Sequence, residues 1–236
     1  MMLPKGILFD LDDTIIAYGA TADSTWWRIC GEYANQSDRF DTNTLYRAIR
    51  EMGNWYWSDK ERHKTGRQDL NSARRQIVSL AFQKLNIIDN SLAWKIADTF
   101  SEQREEDAYL FEGAEETLEY FNDTGVSLAL ITNGASDKQR NKIERFNLKR
   151  FFKSILIEGE VGIGKPEEAI YLKALDKLKL KPKEVWMVGD NLEWEVEAPQ
   201  KLGIFSIWND YAKKGLPPDS RIIPDRIIHH ISELMD

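Results

Sequence analysis

Five short apolar runs, at residues 6–11, 126–132, 155–158, 185–189 and 204–208, have the length and continuity of strands buried on both faces. The first four each close on a polar or glycine-containing turn. Helical spacing fills the gaps between the later runs. Glu115, Leu118 and Phe121 predict a helix before the second strand, and Ile143 and Phe146 one after it. Ala169, Leu172, Leu175 and Leu178 make an amphipathic helix after Pro166, and another closes near Lys201. Strands alternating with helices predict an α/β fold, a parallel sheet with helices on both faces.

The first half of the chain breaks this alternation. Between Thr14 and about Ala108 no run reads as a strand. Leu45, Ile49, Met52 and Tyr56 recur at helical spacing, as do Leu70, Ala73, Ile77 and Leu80, then Leu92, Ile96 and Phe100. Thr42, Asp69 and Ser91 are the expected N-caps. The expected organisation is therefore an α/β domain of residues 1–14 and 109–236, interrupted by an all-α domain of residues 15–108. The stretch 216–219 reads as a loop before a short C-terminal segment.

Composition narrows the partners. A net charge of −7 over 236 residues points away from nucleic acid and from membrane surfaces. Cys30 is the only cysteine, so there is no internal disulfide framework. The N-terminal segment is too short for a signal-peptide core, and no apolar run approaches the ~20 residues of a membrane helix. A cytoplasmic protein, monomeric or weakly dimeric, is expected.

In an open α/β sheet, ligands bind at the carboxyl ends of the strands. There the sequence puts Asp10-Leu11-Asp12-Asp13-Thr14, Thr132-Asn133-Gly134, Lys165-Pro166 and Gly189-Asp190-Asn191. Oxygen donors in this number suit a hard cation such as Mg²⁺. With Lys165, a cation would offset the charge of a phosphate approaching a carboxylate nucleophile. Thr132 and the main-chain N–H groups after it suit phosphate oxygens. A second acid two residues beyond the nucleophile could protonate a leaving oxygen and later activate water.

These four segments, in this order, resemble the motifs of the haloacid dehalogenase (HAD) superfamily of hydrolases, in its branch with a helical cap inserted after the first motif. Asp10 to Thr14 matches its D-x-D-x-T motif, Thr132-Asn133-Gly134 the second, Lys165 the third and Val188-Gly189-Asp190-Asn191 the fourth. The resemblance spans essentially the whole chain. It implies a Rossmann-like core and a phosphatase acting on a small phosphorylated substrate. Asp10 would be the nucleophile, Asp12 the general acid/base, and Lys165 the partner of Asp10 and phosphate. Thr132, Asn133 and Gly134 would bind phosphate. Mg²⁺ would be held by the Asp10 side chain, the Asp12 carbonyl and Asp190, with the helical insertion as a lid.

Where many relatives have an Asp five residues after the first acid of motif four, this chain has Glu195, expected to support bound water or Lys165 from behind the metal ligands. Asn191 and Glu193 are further polar candidates without a definite role. Asp12 argues against carbon–halogen cleavage, since dehalogenases of the family lack an acid there. A phosphomutase and a catalytically idle regulatory domain are the remaining alternatives. Trp26, Trp27, Trp55, Tyr56 and Trp57 are expected in the core of the insertion. The basic run Arg62, His63, Lys64, Arg67, with Arg74 and Arg75 beyond, is expected as a solvated face, the other reading being a grip on a second anionic group. Cys30 reads as a small packing residue.

Overall fold

The computed structural model describes residues 3–236; Met1 and Met2, which open the segment read above for a leader, lie outside the described residues. The chain divides into two compact units, one of Met1–Ala17 and Tyr109–Asp236, the other of Tyr18–Ala108. Among the described residues there are eight strands, all in the first unit: β1 (Gly6–Phe9), β2 (Ile16–Ala17), β3 (Tyr109–Leu110), β4 (Ser127–Thr132), β5 (Ser154–Ile157), β6 (Val185–Gly189), β7 (Phe205–Asn209) and β8 (Arg226–Ile228).

Six of them form one sheet in the order β5-β4-β1-β6-β7-β8, and every neighbouring pair is parallel. This is the predicted α/β architecture, and its apolar runs are the reason for it. Ile7, Leu8 and Phe9 of β1 are fully buried because the central strand is covered on both faces. Successive side chains point to opposite faces, so Leu8 joins Ala129, Met187, Tyr171 and Leu175 in one cluster while Ile7 and Phe9 face the other way. From β1 the chain builds outward through β4 and β5, then returns to add β6, β7 and β8 on the opposite side. The strand order thus reverses at β1, and its carboxyl end opens into the crevice between β4 and β6.

The flanking helices follow their apolar spacing with adjustments. Ala114–Asp123 buries Ala114, Thr117, Leu118 and Phe121, at intervals of three and four. Glu168–Leu178 buries Ile170, Tyr171, Ala174, Leu175 and Leu178, whereas Ala169 and Leu172 are exposed. The large Tyr171 ring turns the buried face one position from the expected stripe. Phe146 lies just past the Ser136–Arg145 helix as its C-cap. β8 escaped the sequence pattern because it is a short edge strand with Arg226 and Ile227 partly in solvent.

The insertion also begins later than residue 15. Ile16 and Ala17 pair antiparallel with Leu110 and Tyr109, so both crossings leave the α/β unit as a two-stranded ribbon. Two residues per strand are too few for any periodicity to reveal.

The second unit holds five helices, Ala22–Ala34, Thr42–Trp57, Lys60–Gly66, Leu70–Lys84 and Asn90–Glu106, around their own core. Trp26 stacks on Phe100 with centroids 3.6 Å apart, and Tyr56 is buried with them. Trp57 packs partly buried at the edge of this core. Trp27 and Trp55, expected inside, are about half exposed. Trp27 follows Trp26 around the helix and leaves the buried stripe, resting on Tyr46, while Trp55 is covered by the Arg62 guanidinium at 3.9 Å. Cys30 is fully buried, and burial pushes its thiol up to about 12. Among the described residues no helix is long and apolar enough to cross a membrane.

Four of the five helices start on an aspartate. Asp41, Asp59, Asp69 and Asp89 each accept a hydrogen bond from the main-chain N–H three residues on. Asp69 is the predicted cap, but Asp41 and Asp89 replace Thr42 and Ser91, because their carboxylates reach the N–H groups of Thr44 and Leu92 at 3.0 Å. Thr42 is already the first helical residue. Asp41→Ala is therefore expected to lower the urea midpoint by about 0.3 M, and Thr42→Ala to leave it nearly unchanged, in unfolding followed by circular dichroism.

Candidate active site

The end of β1 puts Asp10 in the crevice, its N–H bonded to the Val188 carbonyl of β6 at 2.9 Å. The turn that follows is tight: the N–H groups of Ile15 and Ile16 both return to the Leu11 carbonyl, and Asp13 takes a left-handed conformation with φ of 59°. Thr14, fully buried, donates from its hydroxyl to Asp10 Oδ2 at 3.3 Å. The other oxygen, Oδ1, accepts from Lys165 Nζ at 2.5 Å.

Lys165 is itself 1 % exposed and lies between two carboxylates, with Glu195 Oε1 at 2.6 Å. Burial opposes its charge, yet Asp10 and Glu195 together hold its pKa above the ordinary lysine value. Its main chain is fixed as firmly as its side chain. Asn133 Oδ1 accepts from the Lys165 N–H at 2.8 Å, and Asn133 Nδ2 donates to the Lys165 carbonyl at 2.7 Å. Gly164, just before it, has no room for a side chain, since a Cβ would lie 2.7 Å from both Asn133 Oδ1 and Glu158 Cδ.

Glu195 reaches Lys165 from a wide helical turn, Leu192–Glu197, of the π type often found at functional sites. Asn191 caps that turn through Oδ1 to the N–H groups of Glu193 and Trp194, and its own N–H holds Glu195 Oε2 at 2.8 Å. The Glu195 side chain crosses the face of Gly189, where an added Cβ would come within 2.0 Å of its Cγ. A longer acid thus takes the place of the shorter one usual in this motif, using space that a glycine leaves open. Tyr171 fixes the turn from below through its hydroxyl to the Trp194 carbonyl at 2.5 Å.

Charge is concentrated here. Burial pushes the Asp10 carboxyl up, with Lys165 opposing and Asp12 adding to the rise. Burial likewise raises Asp190 well above its ordinary value, reinforced by Asp10, Glu195 and Asp13. Burial lifts Glu195 to about 7 against the pull of Lys165. Several acids that raise one another beside a single buried lysine form a donor set with surplus negative charge, which fits a divalent cation held by oxygen. No group of three or more metal-ligating His, Cys, Asp or Glu side chains occurs among the described residues, so main-chain oxygen would have to complete such a set. The Asp190 carbonyl is tied to β7 by Trp208 Nε1 at 2.7 Å.

Asp12 points elsewhere. Its carboxylate accepts from Lys142 Nζ at 2.8 Å through both oxygens, and from Gln139 Nε2 at 3.0 Å. Gln139 also donates to the Thr132 hydroxyl at 2.5 Å, joining the first and second motifs. Neither Gln139 nor Lys142 stood out in the sequence. The helix SDKQRNKIER reads as solvated, although these two residues, three apart, share one buried face.

The second motif also departs from expectation. The Gly134 N–H, expected to face phosphate, donates to the buried Glu158 carboxylate at 3.0 Å, and the Asn133 amide is committed to Lys165. The turn ties β4 to the segment after β5, and of its side chains the Thr132 hydroxyl faces the acid network. A cavity of about 810 Å³, bordered by Asp190, Trp208, Asn209, Tyr211 and the 216–218 loop, lies along this edge of the sheet.

Known proteins share this architecture. A phosphoserine phosphatase from Thermus thermophilus is 36% identical over 143 residues, 60% of this chain and 56% of that one, so the match spans little more than half of that relative. A glyceraldehyde 3-phosphate phosphatase from Pyrococcus furiosus is 27% identical over 235 residues, 98% of this chain and 92% of its own. Among solved structures, the HAD-hydrolase YfnB from Bacillus subtilis, bound to magnesium, superposes with a TM-score of 0.74 at 22% identity, covering 99% of this chain and 97% of that one. A 2-haloacid dehalogenase from Pseudomonas syringae pv. Tomato DC3000 gives 0.61 at 25%, over 99% and 97%. The sequence model of the haloacid dehalogenase-like hydrolases matches residues 4–203, from before β1 to the turn ahead of β7, and the chain belongs to that family.

Proposed function

We propose that this hydrolase is a Mg²⁺-dependent phosphatase that releases phosphate from a small phosphorylated metabolite through an aspartyl-phosphate on Asp10. The observation that carries the reading is the fixed Asp10 carboxylate, held on one oxygen by Lys165 and on the other by Thr14, with a second acid two residues on. The named phosphatases among its relatives support the choice of phosphate. Asp12 supports it over carbon–halogen cleavage, since only a leaving oxygen needs a proton.

In the first half-reaction an Asp10 carboxylate oxygen attacks phosphorus and the bond to the ester oxygen breaks, with Asp12 giving that oxygen its proton. In the second half, water attacks phosphorus, Asp12 takes the water's proton and the bond to Asp10 breaks. Lys142, 2.8 Å from Asp12, orients the carboxyl that takes this proton. Lys165 orients Asp10 and faces the charge that builds on the transferring group. The Thr132 hydroxyl and the Asn133 N–H hold phosphate oxygens, the Gly134 N–H being committed to Glu158. The Asp10 and Asp190 side chains and the Asp12 carbonyl would hold Mg²⁺, which when bound offsets the repulsion between phosphate and carboxylates.

Three results are expected. Asp10→Asn lowers phosphate release from a metabolite-ester panel by about a thousandfold or more, and unchanged turnover would rule out Asp10 as nucleophile. EDTA abolishes turnover and added Mg²⁺ restores it; activity indifferent to EDTA removes the metal from the reading. Gly189→Ala drives Glu195 off Lys165 and lowers kcat about tenfold or more. Because both changes act on one contact, the Gly189→Ala/Glu195→Ala double variant is no worse than the poorer single variant.

A further inference from the structure

The helical unit contains a cavity of its own, about 390 Å³, between its helices. Its charge is unlike that of the chain. In a protein of net charge −7, the wall carries Arg50, Arg67, Arg74, Arg104 and His63 and no acidic residue. The remaining wall combines the rings of Trp26, Trp57 and Phe100 with small and aliphatic residues.

Two of these arginines are deeply buried, Arg74 at 6 % exposure and Arg104 at 4 %. Both converge on the same two rings. Arg74 Nη2 donates to the Tyr18 hydroxyl at 3.0 Å, and its guanidinium carbon lies 5.1 Å from the Phe100 centroid. The Arg104 guanidinium lies 4.2 Å over the Tyr18 ring and 5.8 Å from Phe100, and its Nη1 donates to Thr21. The acid linked most directly to Arg74, Glu105, accepts from the Tyr18 hydroxyl at 3.1 Å rather than from the guanidinium.

Arg74 Nη1 is buried and has no hydrogen-bond acceptor. A buried guanidinium N–H without an acceptor is costly. Rings stabilise guanidinium planes through their faces but accept no hydrogen bond in the plane. What is missing is a planar or tetrahedral set of oxygens that a guanidinium can grip. The sequence reading of the basic run as a solvated face is therefore wrong at Arg74. It fits elsewhere, since Arg62 covers Trp55 and Arg75 pairs with Asp98 through two bonds of 2.7 Å.

We infer that this cavity binds an anionic oxyacid group, carboxylate or phosphate, carried by a small organic molecule, with Arg74 as its principal ligand. The flat aromatic wall accommodates the body of the molecule, and the volume limits it to metabolite size. The molecule is a small anion held within the helical unit, and its binding does not rest on the phosphatase reading.

One measurement on the full chain tests this. Malonate is expected to raise the melting temperature with increasing concentration, with the shift lost in Arg74→Met and partly retained in Arg74→Lys. Should Arg74→Met not fold by circular dichroism, the half-buried Arg67→Gln is expected to weaken the shift. The inference is overturned if malonate gives no shift, or gives the same shift in these variants as in the parent chain.

Discussion

A buried ammonium persists in a folded protein only when anions meet it, and Lys165 imposes that condition on the whole α/β unit. Asp10 arrives from β1, Glu195 from the turn after β6, and Asn133 from the end of β4 to clamp the lysine's main chain. Removing any one would leave a charge or a polar group buried without its partner, which costs far more than a surface ion pair contributes. The topology supplies the meeting place. Because strand order reverses at β1, loops from both halves of the sheet reach the same ammonium. The close approach also dictates where side chains are forbidden: Gly164 and Gly189 stand where a Cβ would strike the network.

Electrostatics divides the two units. At the carboxyl edge of the sheet, acids outnumber the buried lysine and push one another toward protonation. Inside the helical unit, buried arginines gather on Tyr18 and Phe100 and one guanidinium nitrogen lacks an acceptor. Surplus negative charge at the sheet edge calls for an opposite charge from outside, while in the helical unit one buried guanidinium donor calls for an acceptor. The average charge of the chain conceals both.

Much of this was legible in the residues. Central strands buried on both faces must be continuously apolar, so β1, β4 and β6 announced themselves, and the acids, lysine and Thr132 at their ends followed. Elements that depend on few or mixed residues did not. β2 and β3 carry two residues each, and β8 is half in water. The Asp12 partners Gln139 and Lys142 sit in a helix whose composition reads as solvated, since a buried salt bridge leaves no apolar stripe. Asp41 and Asp89 were passed over as caps because Thr42 and Ser91 beside them are equally good capping types, and only the φ/ψ of the first turn decides. Arg74 could not be told from Arg75, its neighbour, without the 100° that separates them around the helix.

The ribbon of β2 and β3 has a consequence for how this architecture can change. Ala17 and Tyr109 are register partners across two antiparallel strands, so the 18–108 segment leaves and returns at adjacent points of one ladder. Anything whose two ends fit the width of a hairpin can occupy that interval without moving Asp10 or the strand beside it. The ladder works as a fixed socket: recognition can be rewritten by exchanging the plug, while the chemistry a few residues upstream keeps its geometry.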